Sequence, residues 1–156
     1  MALENLSKQS TEGCLAPGLH NEVTASGGAT RTLIAADSGG TFLWDSAAGV
    51  DYTLPAPVVG MKFSFYASVS VTSNAHAIST DAATTFIGGA IQQVIAANAV
   101  SEGQVGDDAS DVTISMNGTT TGGLEGTRID VECLSGTTWV ATGLVVSSGT
   151  LSTPFA

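Results

Sequence analysis

Histidine, the residue that most often serves as a general base beside a serine or cysteine nucleophile, is scarce in this sequence. It occurs only as His20 and His76. His20 lies in an irregular leader and His76 follows a turn at Asn74, and neither stands in a recognisable catalytic frame. We therefore interpret His76 as a surface or edge-strand residue and expect no hydrolase activity.

A run of carboxylates at Asp107, Asp108 and Asp111 is the second group that could carry chemistry. Three carboxylates close together suit a hard cation such as Ca²⁺, but the run lacks the spacing of an EF-hand loop and its terminal glutamate. A solvated acidic turn before a strand explains the same residues without an ion. We expect no metal site here and keep calcium binding as the alternative.

Other motifs that hold cofactors are missing from the sequence. Glycine-rich phosphate loops, C-x-x-C pairs and H-E-x-x-H do not occur. Cys14 and Cys133 are far apart in sequence and are predicted to be free thiols. Aromatic residues make up only 6% of the chain, too few for a sugar-stacking cleft, so Trp44 and Trp139 are predicted to pack in the core. We expect a protein that is not an enzyme and needs no cofactor.

Composition points to a protein that associates with other protein. Only 12% of the 156 residues are charged, against about 25% in an average soluble domain. The formal net charge of −10 disfavours binding to nucleic acid or to anionic membranes. A surface so poor in charge favours oligomerisation. The first ten residues lack the apolar core of a secretion signal, so we expect a chain that is soluble when made.

Short β-strands separated by Gly, Asn, Asp and Ser turns are predicted from Thr30 onward. In the clearest one, Met61 to Thr72, apolar residues alternate with mainly hydroxyl-bearing ones. The segments 30–35 and 41–45 flank a Gly-rich turn and predict a hairpin. Pro-Ala-Pro at 55–57 indicates an edge strand or a crossover.

One segment, 86–100, is ambiguous because its apolar residues satisfy helical spacing while Gly88 and Gly89 disfavour a helix. We predict one short helix there. Several short strands without long amphipathic helices predict an all-β fold, an antiparallel β-sandwich or barrel that is jelly-roll-like. The domain is predicted to span residues 29–156.

An extended N-terminal arm, residues 1–28, is predicted to precede the domain because it shows no sustained periodicity and ends in Ser-Gly-Gly. Its scattered apolar residues Leu3, Leu6 and Leu15 suit docking onto neighbouring protein, although a frayed terminus would have the same composition. Deletion of the arm is expected to abolish that docking and to leave a folded oligomer.

Two regions of the chain are similar to patterns that recur in head proteins of tailed bacteriophages. The first comprises LIAADSGGTFLWD at 33–45, YTLPAP at 52–57 and GMKFSF at 60–65. The second comprises GTRIDVE at 126–132 and SGTTWVATG at 135–143. On these residues the chain resembles the capsid decoration, or cement, proteins of tailed phages.

The resemblance implies a β-rich homotrimer on the outer surface of the virion, at three-fold or quasi-three-fold positions, that stabilises contacts between major capsid proteins. Such a protein is made in the cytoplasm of the host bacterium, and Leu3, Leu6 and Leu15 would anchor its arm to the capsid. The alternative is a head-fibre or tail-appendage module that binds glycans of the host surface. A lectin or carbohydrate-active enzyme that depends on Asp107, Asp108 or Asp111 is a further alternative.

Overall fold

The structure, a computed structural model, describes residues 23–156. This part of the chain contains strands and one short 3₁₀ helix (Ala35–Asp37) but no α-helix, which confirms the all-β class. The strands are β1 (Val23–Ala25), β2 (Arg31–Thr32), β3 (Thr41–Trp44), β4 (Asp51–Thr53), β5 (Lys62–Ala67), β6 (His76–Ser79), β7 (Phe86–Ile95), β8 (Ser101–Gly106), β9 (Thr113–Met116), β10 (Arg128–Ser135) and β11 (Thr138–Ser147).

Two sheets form a sandwich around one core. The large sheet has the order β1-β3-β5-β10-β11-β7-β8, and the small sheet has the order β2-β4-β6-β9. Apolar side chains from both sheets belong to a single buried cluster, and the rings of Tyr52 on β4 and Phe65 on β5 lie 5.5 Å apart. The predicted β-sandwich is confirmed, and the structure selects it over a barrel.

The direction of the strands differs from the purely antiparallel prediction, because both sheets are mixed. From β1 to β7 the chain changes sheet at every step, so β1, β3 and β5 run parallel in the large sheet and β2, β4 and β6 run parallel in the small one. The later strands add antiparallel pairs, as between β10 and β11. Alternating hydrophobicity fixes which face of a strand is buried but carries no information on strand direction.

The hairpin predicted for residues 30–35 and 41–45 is therefore wrong. β2 pairs with β4 in the small sheet, whereas β3 pairs with β1 and β5 in the large one. Between them, the 3₁₀ helix and a turn lead the chain across the sandwich, where the amide of Gly39 donates to the carbonyl of Lys62 at 2.7 Å. The crossover predicted at Pro55–Pro57 is confirmed, since it connects β4 to β5 in the opposite sheet.

The predicted short helix within residues 86–100 is also wrong, because residues 86–95 form β7. This strand runs parallel to β11 over ten residue pairs, from Phe86 to Ile95. Ile87 and Ile91 are buried at strand spacing, and so is Gln93, whose Nε2 donates to Ser147 Oγ at 2.8 Å. A polar residue at a core position breaks the apolar alternation that would have indicated a strand.

Aromatic rings fill the centre of the core. Trp44 and Trp139 are completely buried, as predicted. Trp44 stacks on Phe65 with ring centroids 5.5 Å apart, and Trp139 meets Phe63 at 5.7 Å. Fully burying a large apolar side chain contributes on the order of 1.5–3 kcal/mol to the stability of the fold.

Residues 23–25 of the predicted arm form β1 at one edge of the large sheet, so the domain begins before residue 29. The turn that follows is held by Asp45, whose carboxylate accepts hydrogen bonds from Ser26 Oγ and from the amides of Gly27 and Gly28. Burial by itself raises the pKa of Asp45, but these hydrogen bonds outweigh it and the pKa is lowered overall. The arm residues Leu3, Leu6 and Leu15 lie outside the described residues.

Candidate interaction surface

His76 lies in the core and not on the surface, so the surface or edge-strand interpretation is wrong. It stands on β6, an inner strand of the small sheet, and its ring stacks on Trp44 with centroids 5.5 Å apart. Nε2 lies 3.0 Å from the carbonyl oxygen of Val69, which can only accept, so Nε2 carries the proton. Burial lowers the pKa of His76, against the opposing effects of the Val69 carbonyl and Asp45.

The stability of the protein is expected to fall as the pH drops below about 6.5, the ordinary pKa of histidine. Below this pH His76 is protonated in the unfolded chain but stays neutral in the folded protein, where its pKa is lowered. The free energy of unfolding therefore falls by up to about 1.4 kcal/mol per pH unit. Denaturant unfolding between pH 7.5 and 5.5 measures this slope. His76→Phe keeps a ring against Trp44 and cannot titrate, so its slope should be nearly flat. An equal slope in both proteins would assign the effect elsewhere.

The cysteines and the second histidine are either buried or outside the described residues. Cys133 is buried and its Sγ lies 2.8 Å from the carbonyl oxygen of Ser135. Burial raises the pKa of the Cys133 thiol, which keeps it in its unreactive protonated form. His20 and Cys14 lie outside the described residues.

The acidic run forms a turn between β8 and β9 that is closed by its own hydrogen bonds. Asp107 accepts from the amide of Ala109 and from Ser110 Oγ, both at 2.9 Å, and Asp111 accepts from the amide of Asp107 at 2.6 Å. Within residues 23–156, no group of three His, Cys, Asp or Glu side chains is arranged to hold a metal ion. The geometry is that of a self-capped acidic turn.

The outer face of the large sheet is a surface with a distinctive chemistry. We use this name for the side chains of β5, β10 and β11 that point away from the core. The strand register arranges them in three rows. From β5 to β11 the rows are Tyr66-Arg128-Leu144, Ser64-Asp130-Thr142 and Lys62-Glu132-Val140.

The charges of the outer face neutralise one another. Lys62 Nζ lies 2.9 Å from Glu132 Oε1, and two guanidinium nitrogens of Arg128 each lie 3.2 Å from an oxygen of Asp130. Ser64 Oγ also donates to Asp130 at 2.5 Å. Such exposed pairs each contribute at most about 1 kcal/mol to stability. Their main effect is a face without net charge on a chain whose net charge is −10.

Apolar side chains surround these pairs. Leu134 is 59% exposed, Leu144 43% and Tyr66 38%. A shallow groove of about 280 Å³ lies between the side chains of β5, β10 and β11, with Leu134 and Val140 among its walls. Paired charges inside an apolar surround are a composition suited to contact with another protein.

The outer face of the small sheet is different in kind. Four hydroxyl side chains form one row across all four strands, Thr32-Thr53-Ser79-Thr113. Ser79 Oγ donates to the carboxylate of Asp51 at 3.1 Å. This surface carries hydroxyl groups where the large sheet carries paired charges and apolar side chains, so the sandwich has two chemically distinct sides.

These features define the class of the described residues as an all-β sandwich with one neutral, partly apolar sheet face. No family model, curated protein or solved structure matches the chain. None of the helical residues between 23 and 156 forms a segment with the length and apolarity needed to cross a membrane.

The sequence indicated only part of the outer face. The alternation in residues 61–72 placed Lys62, Ser64 and Tyr66 on one side of a strand. Arg128 and Leu144 join them only through the pairing of β10 with β5 and β11. The alternation within each strand indicates which of its side chains point outward. The register that joins the three strands into one surface is a tertiary property that the alternation does not contain.

Proposed function

We propose that the protein is a capsid decoration protein of a tailed phage, which binds the outer capsid surface as an oligomer and stabilises contacts between major capsid proteins. The resemblance of residues 33–65 and 126–143 to phage head proteins supports this proposal. The structural observation that carries it is the outer face of the large sheet, which is neutral and partly apolar while the opposite side is hydroxylated.

The outer face lies at the centre of the large sheet, whose whole outward side approaches the dimensions that such a contact needs. Seven strands about 4.8 Å apart give the sheet a width of roughly 29 Å, and eight residues of β10 at about 3.3 Å each give a length of roughly 26 Å. The product, at most about 750 Å² because β1 and β3 are shorter than β10, compares with the roughly 800 Å² that one partner buries in a standard protein interface.

The internal ion pairs lower the desolvation cost of burying this face. A lone charge that loses its water costs several kcal/mol, whereas Lys62 and Arg128 keep their carboxylate partners when a capsid protein covers them. The hydroxyl row of the small sheet then faces solvent. In this arrangement the net negative charge of the chain lies outside the capsid, away from the packaged DNA.

The proposed mechanism is multivalent attachment by an oligomer, a trimer if the resemblance extends to its symmetry. Each copy contributes one sheet face and one arm bearing Leu3, Leu6 and Leu15. Several modest contacts on one particle dissociate together only rarely, so the joint attachment is far tighter than each contact. Packaged DNA presses outward on the capsid, and a protein that bridges neighbouring subunits opposes their separation.

The first test is the mass of the purified protein by light scattering, followed by co-sedimentation with undecorated capsids of tailed phages. Sedimentation with capsids and a mass of three copies, or a multiple of three, supports the proposal. Capsid binding with any other mass would keep the decoration role and overturn the three-fold form. A protein that stays in the supernatant and binds host glycans would replace the proposal with the appendage alternative.

A further inference from the structure

Four strands form the edges of the two sheets, and three of them are protected among the described residues. β1 and β2 have only three and two residues. β9 is covered by the end of the chain, where Ser115 donates to Pro154 and Ala156 exchanges hydrogen bonds with Thr113. β8, with six residues, is the long edge that nothing in residues 23–156 covers.

The hydrogen bonds of β8 show which of its backbone groups are free. The register with β7 is continuous from Gly89↔Gly106 to Val94↔Ser101, and the amide of Ile95 donates to Val100 one step further. In an antiparallel pair, bonded and non-bonded residue pairs alternate. Glu102 and Gln104 therefore bond to β7.

The N–H and C=O groups of Ser101, Gly103 and Val105 consequently point away from the sheet. All three residues are exposed, and Val105, at 75%, is the most exposed of the large apolar side chains in the described chain. Native proteins commonly protect such edges with proline or lysine, and β8 has neither. An edge in this state is a template for strand addition.

We infer that β8 pairs with β8 of a second copy, antiparallel, about a two-fold axis at Gly103. The outward residues are symmetric about this position. Ser101 of one copy bonds with Val105 of the other, Gly103 bonds with Gly103, and Val105 bonds with Ser101. All the free backbone groups of the strand find partners in this single register.

The side chains favour the same register. Glu102 lies opposite Gln104 of the second copy, where carboxylate and amide can form a hydrogen bond. A shift by two residues in one direction would place Glu102 opposite Glu102, and like charges directly across a strand pair are destabilising. The opposite shift would leave Ser101 without a partner within β8. On the side of the sheet that points away from the core, Val105 is covered by Ser101 of the second copy on one side and by its own neighbour Ala90 on the other.

This contact goes beyond the proposed function, because it makes no use of the capsid. A two-fold contact joins copies in pairs, so the number of copies in the assembly is even. It is two if no other contact forms, and six or a multiple of six if each copy also belongs to a trimer. Failure of capsid binding would leave this inference standing, and an odd number of copies would overturn it without touching the decoration proposal.

Gly103→Lys tests the contact directly. A Cβ at Gly103 meets no atom within 4 Å and its φ is not left-handed, so the folded chain accepts the lysine. In the assembly two ammonium groups would meet at the two-fold axis, and the mass by light scattering should fall by half. Gly136→Lys, at an equally open glycine in the β10–β11 turn, adds the same charge and should leave the mass unchanged. An unchanged mass for Gly103→Lys would refute the β8 pairing.

Amide hydrogen exchange supplies an independent readout. In the wild-type protein the amides of Ser101, Gly103 and Val105 should be protected by the second copy, and in Gly103→Lys the amides of Ser101 and Val105 should exchange at least about tenfold faster. The amides of Glu102 and Gln104 bond to β7 and should keep their rates. Fast exchange at Ser101 and Val105 in the wild-type protein would show that no strand is added.

Discussion

Replacing Gly89 with alanine is expected to destabilise the fold by at least about 3 kcal/mol, a large part of the 5–15 kcal/mol that typically holds a domain together. Gly89 has φ +111°, a conformation that residues with a side chain rarely adopt. A Cβ at this position would lie 2.1 Å from the carbonyl oxygen of Ala141. Strained backbone and overpacking each cost on the order of 1–3 kcal/mol.

The neighbouring backbone cannot move away from this clash. Gly89 stands in the ten-pair parallel register of β7 with β11, and both strands are inner strands of the large sheet. Urea unfolding of Gly89→Ala should show a much lower midpoint or an unfolded protein. Gly136→Ala, at a glycine with open space and no left-handed φ, should change stability by no more than about 0.5 kcal/mol. Equal midpoints for the two variants would contradict the packing described for β7.

The short helix predicted at β7 has a different origin, because the apolar spacing favoured a helix although Gly88 and Gly89 argued against one. Its sequence combines a Gly pair with a buried Gln93, so neither the period of a helix nor that of a strand is complete. β5 was predictable because Phe63, Phe65 and Ala67 alternate without interruption and all three are buried. Local pattern is a sufficient guide only where every buried position of the strand is apolar.

The arrangement of strands could not be predicted from the sequence for a different reason. In sequence, β2 and β3 look like the two strands of a hairpin. In the structure they belong to different sheets, which pack against each other around one core. β8 was not predicted as a strand, since SEGQVG lacks apolar alternation. It is a strand because its backbone pairs with β7. The outer face likewise depends on register, which brings Tyr66, Arg128 and Leu144 from three strands into one row.

Leu144→Lys is expected to weaken capsid binding by at least about 100-fold if the outer face is the docking surface. An anchor residue at the centre of an interface contributes about 2 kcal/mol or more, roughly a 30-fold change, and the loss is multiplied in a multivalent assembly. The new ammonium group would stand beside Arg128 in the same row. Asp130, the acidic residue in the adjacent row, already accepts hydrogen bonds from Arg128 and Ser64 on its two oxygens.

The matched control is Thr32→Lys on the small sheet, where the same charge is added at an exposed position of the hydroxyl row. Both variants should unfold near the wild-type midpoint, because each changed side chain is in contact with solvent. Co-sedimentation at graded protein concentration then separates the two sides of the sandwich. If Leu144→Lys binds as well as wild type and Thr32→Lys does not, the capsid contact belongs to the small sheet, because an unpaired charge weakens binding only where the interface removes its water.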